Sequence, residues 1–184
     1  MTGRATAPPV RRYLAGMVEV RLSAVRVDLQ SNTPVLLLME TGGIGRTLPI
    51  FIGAPEATAI AFALQGVPTP RPMTHDLLHD LLDTLDVKLE RVLITELRSA
   101  TYFAELHLLR GTQSLSVSSR PSDAVALAVR TGSPLFVADE LMDAEGVLLP
   151  SDDEDEDAED ANPDALVGEF REFLDTVRPE DFSS

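Results

Sequence analysis

Between Met17 and Leu29 apolar and polar residues alternate, with Val18, Val20 and Leu22 on one side. After a change of phase, Val25, Val27 and Leu29 occupy the other, which predicts one long strand bulged near Ala24. Pro34 to Met39 is a short continuous apolar run, the pattern of a strand covered on both faces. Gly42, Gly43 and Gly45 then supply a turn into a third strand, Leu48–Ile52. Two long strands follow later, Val87–Leu97 and Thr101–Leu109. In the second, Tyr102, Ala104, Leu106 and Leu108 face one way, and Phe103, Glu105 and His107 the other. Gln113–Ser118 sets Leu115 and Val117 against serines, an edge-strand pattern, and Pro134–Val137 is a last short strand.

Helical periods separate these strands. Pro55 to Gln65 opens on proline, ends before Gly66 and is apolar on nearly every side, which predicts a buried helix with Glu56 at its rim. Pro121 to Thr131, ended by Gly132, repeats that frame at the same eleven-residue interval with Asp123 in its first turn. Both are alanine-rich, the composition of two helices packed side by side. A third helix starts near Thr74, read as its N-cap, with Leu77, Leu78, Leu81, Leu82 and Leu85 as one apolar face. Asp139 to Asp143 supplies a final helical turn. The sum is an α+β fold: a mixed or antiparallel sheet with packed helices, over residues 17–150.

Composition adds limits. The chain has 184 residues, 44% of them hydrophobic, enough for one domain with a substantial core and extra segments. It has no cysteine, which removes disulfides and thiolate chemistry. No apolar run approaches the ~20 residues that span a bilayer, and residues 1–16 lack the apolar core of a secretory signal, so a cytoplasmic protein is expected. The net charge of −15 is uneven: residues 1–16 contribute +3, residues 17–150 −6 and residues 151–184 −12. Lys88 is the only lysine, so a broad cationic surface for gripping long nucleic acid is not expected. Residues 1–16 read as a flexible leader, with Met17 a possible start of translation. Residues 151–163 read as a solvated acidic linker, and 164–184 as an amphipathic helix and tail with Leu166, Phe170, Phe173, Leu174 and Val177 on one face.

Candidate chemistry gathers where helices begin. Arg71-Pro72-Met73-Thr74-His75-Asp76 brings a guanidinium, an imidazole and a carboxylate to one helix start, and Arg120-Pro121-Ser122-Asp123 repeats the Arg-Pro opening with a first-turn acid. His75, His79 and Asp83 also form a row at i, i+4 and i+8. Two readings stand for each feature. A first-turn acid complements the helix dipole, and a histidine beside leucines is common boundary packing; the same side chains are also those that handle protons and phosphates. His107 reads as a half-exposed strand residue. The glycines at 42–45 have neither the lysine nor the spacing of a phosphate loop.

Four segments carry a resemblance: Leu48-Pro49-Ile50-Phe51-Ile52-Gly53 with Glu56, Ala63-Leu64-Gln65-Gly66, Arg71-Pro72-Met73-Thr74-His75-Asp76, and Arg120-Pro121-Ser122-Asp123-Ala124. In this order they resemble the bifunctional nuclease domain family. The resemblance implies an α+β fold, association as a homo-oligomer with a dimer favoured, and cleavage of RNA and DNA as described for plant relatives. Glu56, His75, Asp76, Arg120 and Asp123 fall on the family's motif positions, whereas His79 and Asp83 do not. The acidic linker and last helix lie outside the family domain, and the further C-terminal module of plant relatives has no counterpart here.

Phosphodiester cleavage needs an activated nucleophile, charge stabilisation and a protonated leaving group. Glu56, His75, Asp76 and Asp123 are the expected ligands of a divalent metal such as Mg or Mn. His75 is alternatively the base, while Arg71, Arg120 and Ser122 are expected to hold substrate. The alternative is a non-catalytic oligomeric scaffold or ligand-binding regulatory module, in which Arg120 with Asp123 and Arg71 with Asp76 are ion pairs that fix loops. The acidic run at 152–160 is open to a further reading, as a phosphate mimic lying over a basic groove, beside its plain reading as a solubilising tether.

Overall fold

The computed structural model describes residues 15–148; the leader, the acidic linker and the last amphipathic segment lie outside the described residues. Seven strands form one sheet: β1 Met17–Asp28, β2 Thr33–Glu40, β3 Thr47–Phe51, β4 Lys88–Arg98, β5 Thr101–Arg110, β6 Gln113–Ser119 and β7 Leu135–Ala138. Four helices accompany them: α1 Ala54–Gln65, α2 Thr74–Thr84, α3 Pro121–Thr131 and α4 Asp139–Glu145. The architecture is the expected α+β one.

The strand order is β3-β2-β1-β7-β4-β5-β6. Two antiparallel meanders, β1–β2–β3 and β4–β5–β6, are each followed by a helix that opens on proline and closes on a left-handed glycine, Gly66 or Gly132. The short β7 joins the meanders, antiparallel to β1 and parallel to β4. β1 therefore lies inside the sheet, paired on both sides. The expected bulge is present, as a register shift between Leu22 and Ala24.

One apolar core runs between the sheet and the helices. Leu36 and Leu38 of β2, Val92 and Ile94 of β4 and Val125 and Leu127 of α3 are at most 1% exposed. Pro34 to Leu38 is buried throughout, as its unbroken apolar run predicts. β6 is an exposed edge.

Three expectations need correction. α1 is not buried all round: Ala57, Ala59 and Ile60 are buried, but Leu64 is exposed, because α1 packs on α3 and the sheet from one side only. The N-cap of α2 is Met73, not Thr74. Pro72 precedes an extended Met73, and the Asp76 carboxylate reaches back to accept the Met73 N–H at 2.9 Å, so the helix start is fixed by a first-turn acid rather than by a threonine hydroxyl. The leucines of α2 also do not face the core. His75 is the helix's buried residue and Leu82 packs against the core, while Leu77, Leu78, Leu81 and Leu85 point outward.

Candidate active site

The starts of three helices meet. α1 and α3 pack against each other, and α2 lies across α3. Proline in the first turn of α1 and of α3 fixes φ where the N–H has no helical partner to lose, so both helices begin sharply. Arg120 is the N-cap of α3, and its side chain folds over the first turn: Nε donates to Asp123 Oδ2 at 2.7 Å and Nη2 to Asp123 Oδ1 at 3.0 Å. Nη2 also donates to Glu56 Oε1 at 2.6 Å, joining α3 to α1. His75 Nε2 lies 3.0 Å from Asp123 Oδ1, joining α2 to the same carboxylate. The result is one continuous chain, Glu56–Arg120–Asp123–His75.

Each member has a distinct environment. Glu56 is 15% exposed at its side chain; a β-carbon on Gly53 would overlap its carboxylate, so glycine at the α1 N-cap lets the side chain curl back over the helix start. Arg120 is 66% exposed, and its Nη1 makes no hydrogen bond among the described residues. The two carboxylates hold its guanidinium more firmly charged than usual. Burial pushes the Asp123 carboxyl up, but hydrogen bonds from Arg120 and His75 outweigh it and hold the group below the usual carboxylate range. An ionised carboxylate only accepts, so His75 donates through Nε2–H; in the neutral ring Nδ1 then carries the lone pair.

Asp76 stands apart. Its Oδ1 accepts from Arg130 Nε at 2.6 Å, and Arg130, 8% exposed at its side chain, also donates to the carbonyls of Ala126 and Ala59. Arg130 and the Met73 N–H hold Asp76 below its ordinary range. Arg130 was not expected from the sequence. Its signal is spacing: it follows Asp123 by seven residues, two turns along the same helical face. Arg71 is exposed and forms no ion pair among the described residues, so the expected Arg71–Asp76 pair is replaced by Arg130–Asp76. Ser122 is buried in the first turn of α3. His79 lies 3.7 Å from Asp83, and the expected row of His75, His79 and Asp83 divides because His75 turns to Asp123.

The expected metal ligands Glu56, His75, Asp76 and Asp123 do not form a cage in this arrangement. Among the described residues no three histidine or acidic side chains converge to hold an ion. Between Glu56 and Asp123 the positive charge is the Arg120 guanidinium, and Asp76 is occupied by Arg130.

Beside Arg120 a groove of about 360 Å³ is lined by Phe51, Gly53, Thr101, Tyr102 and Ser122. It joins the β3 edge to the β4–β5 turn and gives the exposed guanidinium a concave neighbour. Two other clefts, of about 390 and 570 Å³, contain His79 and Arg130 but neither Arg120 nor Asp123. Among the described residues no helix is long and apolar enough to cross a membrane.

Comparison with known proteins agrees with the motif reading. The sequence model of the bifunctional nuclease domain matches residues 35–150. An uncharacterized protein of Mycobacterium tuberculosis is 46% identical over 168 residues, covering 91% of this chain and 99% of its own. Bifunctional nuclease 2 of Arabidopsis thaliana is 31% identical over 121 residues, 64% of this chain and 36% of the plant protein. Bifunctional nuclease 1 of the same plant is 27% identical over 119 residues, 63% of this chain and 37% of its own. The shared region is thus about a third of each plant protein.

Proposed function

This chain belongs to the bifunctional nuclease domain family, and from that premise we propose that it hydrolyses phosphodiester bonds of RNA or DNA at the cluster centred on Arg120. The observation that supports this reading is the continuous chain Glu56–Arg120–Asp123–His75, built from three helix starts and exposing the Arg120 guanidinium beside a groove.

These bonds support the following roles. The free Nη1 edge of Arg120 binds a phosphate oxygen and offsets the charge that grows on it as water adds to phosphorus. Glu56 and Asp123 hold that guanidinium in one orientation. His75, oriented through Nε2 by Asp123, receives the water proton on Nδ1 as the new P–O bond forms. The ester P–O bond breaks, and the imidazolium returns the proton to the leaving oxygen. A second reading, a ligand-binding or scaffold module, is favoured by one observation: Glu56, Asp123 and Asp76 are all paired within the chain.

Cleavage of short labelled single- and double-stranded RNA and DNA by purified protein, with and without EDTA, tests the proposal. His75→Gln and Asp123→Asn are each expected to lower the rate by about 100-fold or more while the protein still melts cooperatively. If a folded Asp123→Asn protein cuts as fast as the parent, the cluster is structural and the second reading stands. Activity that vanishes with EDTA and returns with Mg or Mn would overturn the metal-free step.

A further inference from the structure

The groove beside Arg120 has a lining that the cleavage roles leave unused. Its walls come from the end of β3, the β4–β5 turn and the start of α3. In a chain with 30 acidic side chains no carboxylate lines it, and the Arg120 guanidinium is its one charged group among the described residues. Two of the five aromatic side chains in the described region, Phe51 and Tyr102, line it as well. Strand alternation places Phe51. Ile50 and Ile52 are 2% and 8% exposed, so the ring between them points away from the core and is 61% exposed. A two-residue hairpin turn places Tyr102. Ser99 and Ala100 both have positive φ, at 50° and 58°, which turns β4 tightly into β5 and pairs Arg98 with Thr101. Tyr102 then packs against the core, which fixes it at the groove wall.

We infer that Phe51 and Tyr102 form a stacking surface for an unpaired base whose neighbouring phosphate is held by Arg120, so that the substrate class of this site is single-stranded nucleic acid. The inference rests on the nuclease reading, which makes the anion at Arg120 a phosphodiester. A duplex keeps the faces of its bases inside its own stack, where neither ring reaches them. It has to be gripped through several phosphates, each met by a cation. The groove offers one guanidinium, and residues 17–150 carry 10 basic against 16 acidic side chains, so that grip is missing. Stacking adds affinity without cations, because every base has a π face. The volume of about 360 Å³ also lies near the lower end of the roughly 300–1,000 Å³ of sites that enclose one small group. It suits a single base and its sugar. The absence of a lining carboxylate removes the repulsion that the rest of this acidic surface would exert on the strand.

Fluorescence anisotropy of a short dye-labelled DNA strand, alone and annealed to its complement, tests this with the full chain in the cold at low salt. A gel run afterwards checks that the strand is intact, and cutting of both forms is measured separately on warming. The inference expects the single strand to bind at least about 10-fold more tightly than the duplex. Phe51→Ala should weaken single-strand binding about 10-fold and leave duplex binding unchanged, and Phe51→Trp should restore it. In cutting, Phe51→Ala should raise KM for the single strand and leave kcat within about twofold, a split that loss of folded protein does not produce. Equal affinity for the two forms overturns the inference. So does a folded Phe51→Ala protein that binds the single strand like the parent, and so does the absence of binding to either form. If a variant fails to fold, the parent's choice between strand and duplex still decides. The two readings fail separately. Strand-selective binding without cutting would remove the nuclease reading and keep the stacking surface. Cutting of both forms alike, unaltered in Phe51→Ala, would remove the stacking surface and keep the nuclease.

Discussion

α2 and α3 have the same length, each has an Arg-Pro pair at its start, and each has an apolar and a polar side, yet the fold holds them by opposite sides. α3 buries Pro121, Ser122 and Ala124 to Ala128 against the sheet and α1, a run of small and branched side chains that allows close approach. α2 buries His75 alone and is secured largely by polar bonds, His75 to Asp123 and Asp76 to Arg130, with Leu82 beneath. The Arg-Pro pairs also differ in phase. Arg120 is itself the N-cap, so its guanidinium reaches the first-turn acid, whereas Arg71 precedes the α2 cap by two residues and lies exposed. Amphipathicity therefore says that a helix has an apolar face; it does not say that the same chain covers it.

The largest expected effect breaks the comparison at α3. Leu127 is 1% exposed, and Leu127→Ala should cost about 3 kcal/mol, the transfer term plus an unfilled cavity. Urea unfolding measures this, and the loss should be the same at every protein concentration. A loss below about 1 kcal/mol would mean that α3 is not the rigid centre described above.

The next effect tests how α2 is held. Asp76→Asn leaves Arg130 nearly buried with only carbonyl partners, and should cost about 2 kcal/mol, less than for a fully buried pair because Asp76 is partly exposed. The same variant sharpens the pH response. Asp76 and Asp123 both have folded-state pKa values below the ordinary 3.8. The unfolded chain therefore binds their protons first, and the stabilisation is complete well above pH 3.8 and lost as pH falls through the lower folded values. Unfolding midpoints from pH 6 to 2.5 should fall on this acid limb, and less steeply in Asp76→Asn. An unchanged limb would remove Asp76–Arg130 from the forces that seat the helix.

Much of this was legible before the structure, and the limits have physical causes. Alternation in the long strands and unbroken apolar stretches such as Pro34–Met39 located the seven strands and the bulge beside Ala24, because burial on one face enforces the two-residue period and burial on both faces removes it. Proline and Gly66 or Gly132 bounded α1 and α3 because φ restriction and the left-handed cap act locally. Glu56, His75, Arg120 and Asp123 were named from the sequence, but their convergence depends on helix packing, which no local pattern carries. Arg130 escaped notice because its partner Asp76 is 54 residues away. The orientation of α2 was illegible for a related reason: its inward side is set by the His75–Asp123 hydrogen bond and the Asp76–Arg130 ion pair, whose partners lie on another helix far along the chain.

The smallest effect compares one residue type on the two helices. Leu81→Ala removes from α2 what Leu127→Ala removes from α3, but Leu81 is half exposed and leaves no internal cavity. At low protein concentration its cost should stay within about 0.5 kcal/mol. If two copies meet on this face, the parent gains stability by mass action as concentration rises, and the variant gains less. The difference in melting temperature between parent and Leu81→Ala should then widen with concentration, while that for Leu127→Ala stays constant. A gap for Leu81→Ala that is equally small at every concentration would mean that the leucine face of α2 contributes nothing beyond its own helix. The contrast between a helix completed within the chain and one completed by a second copy would then reduce to a difference in how deeply each is buried.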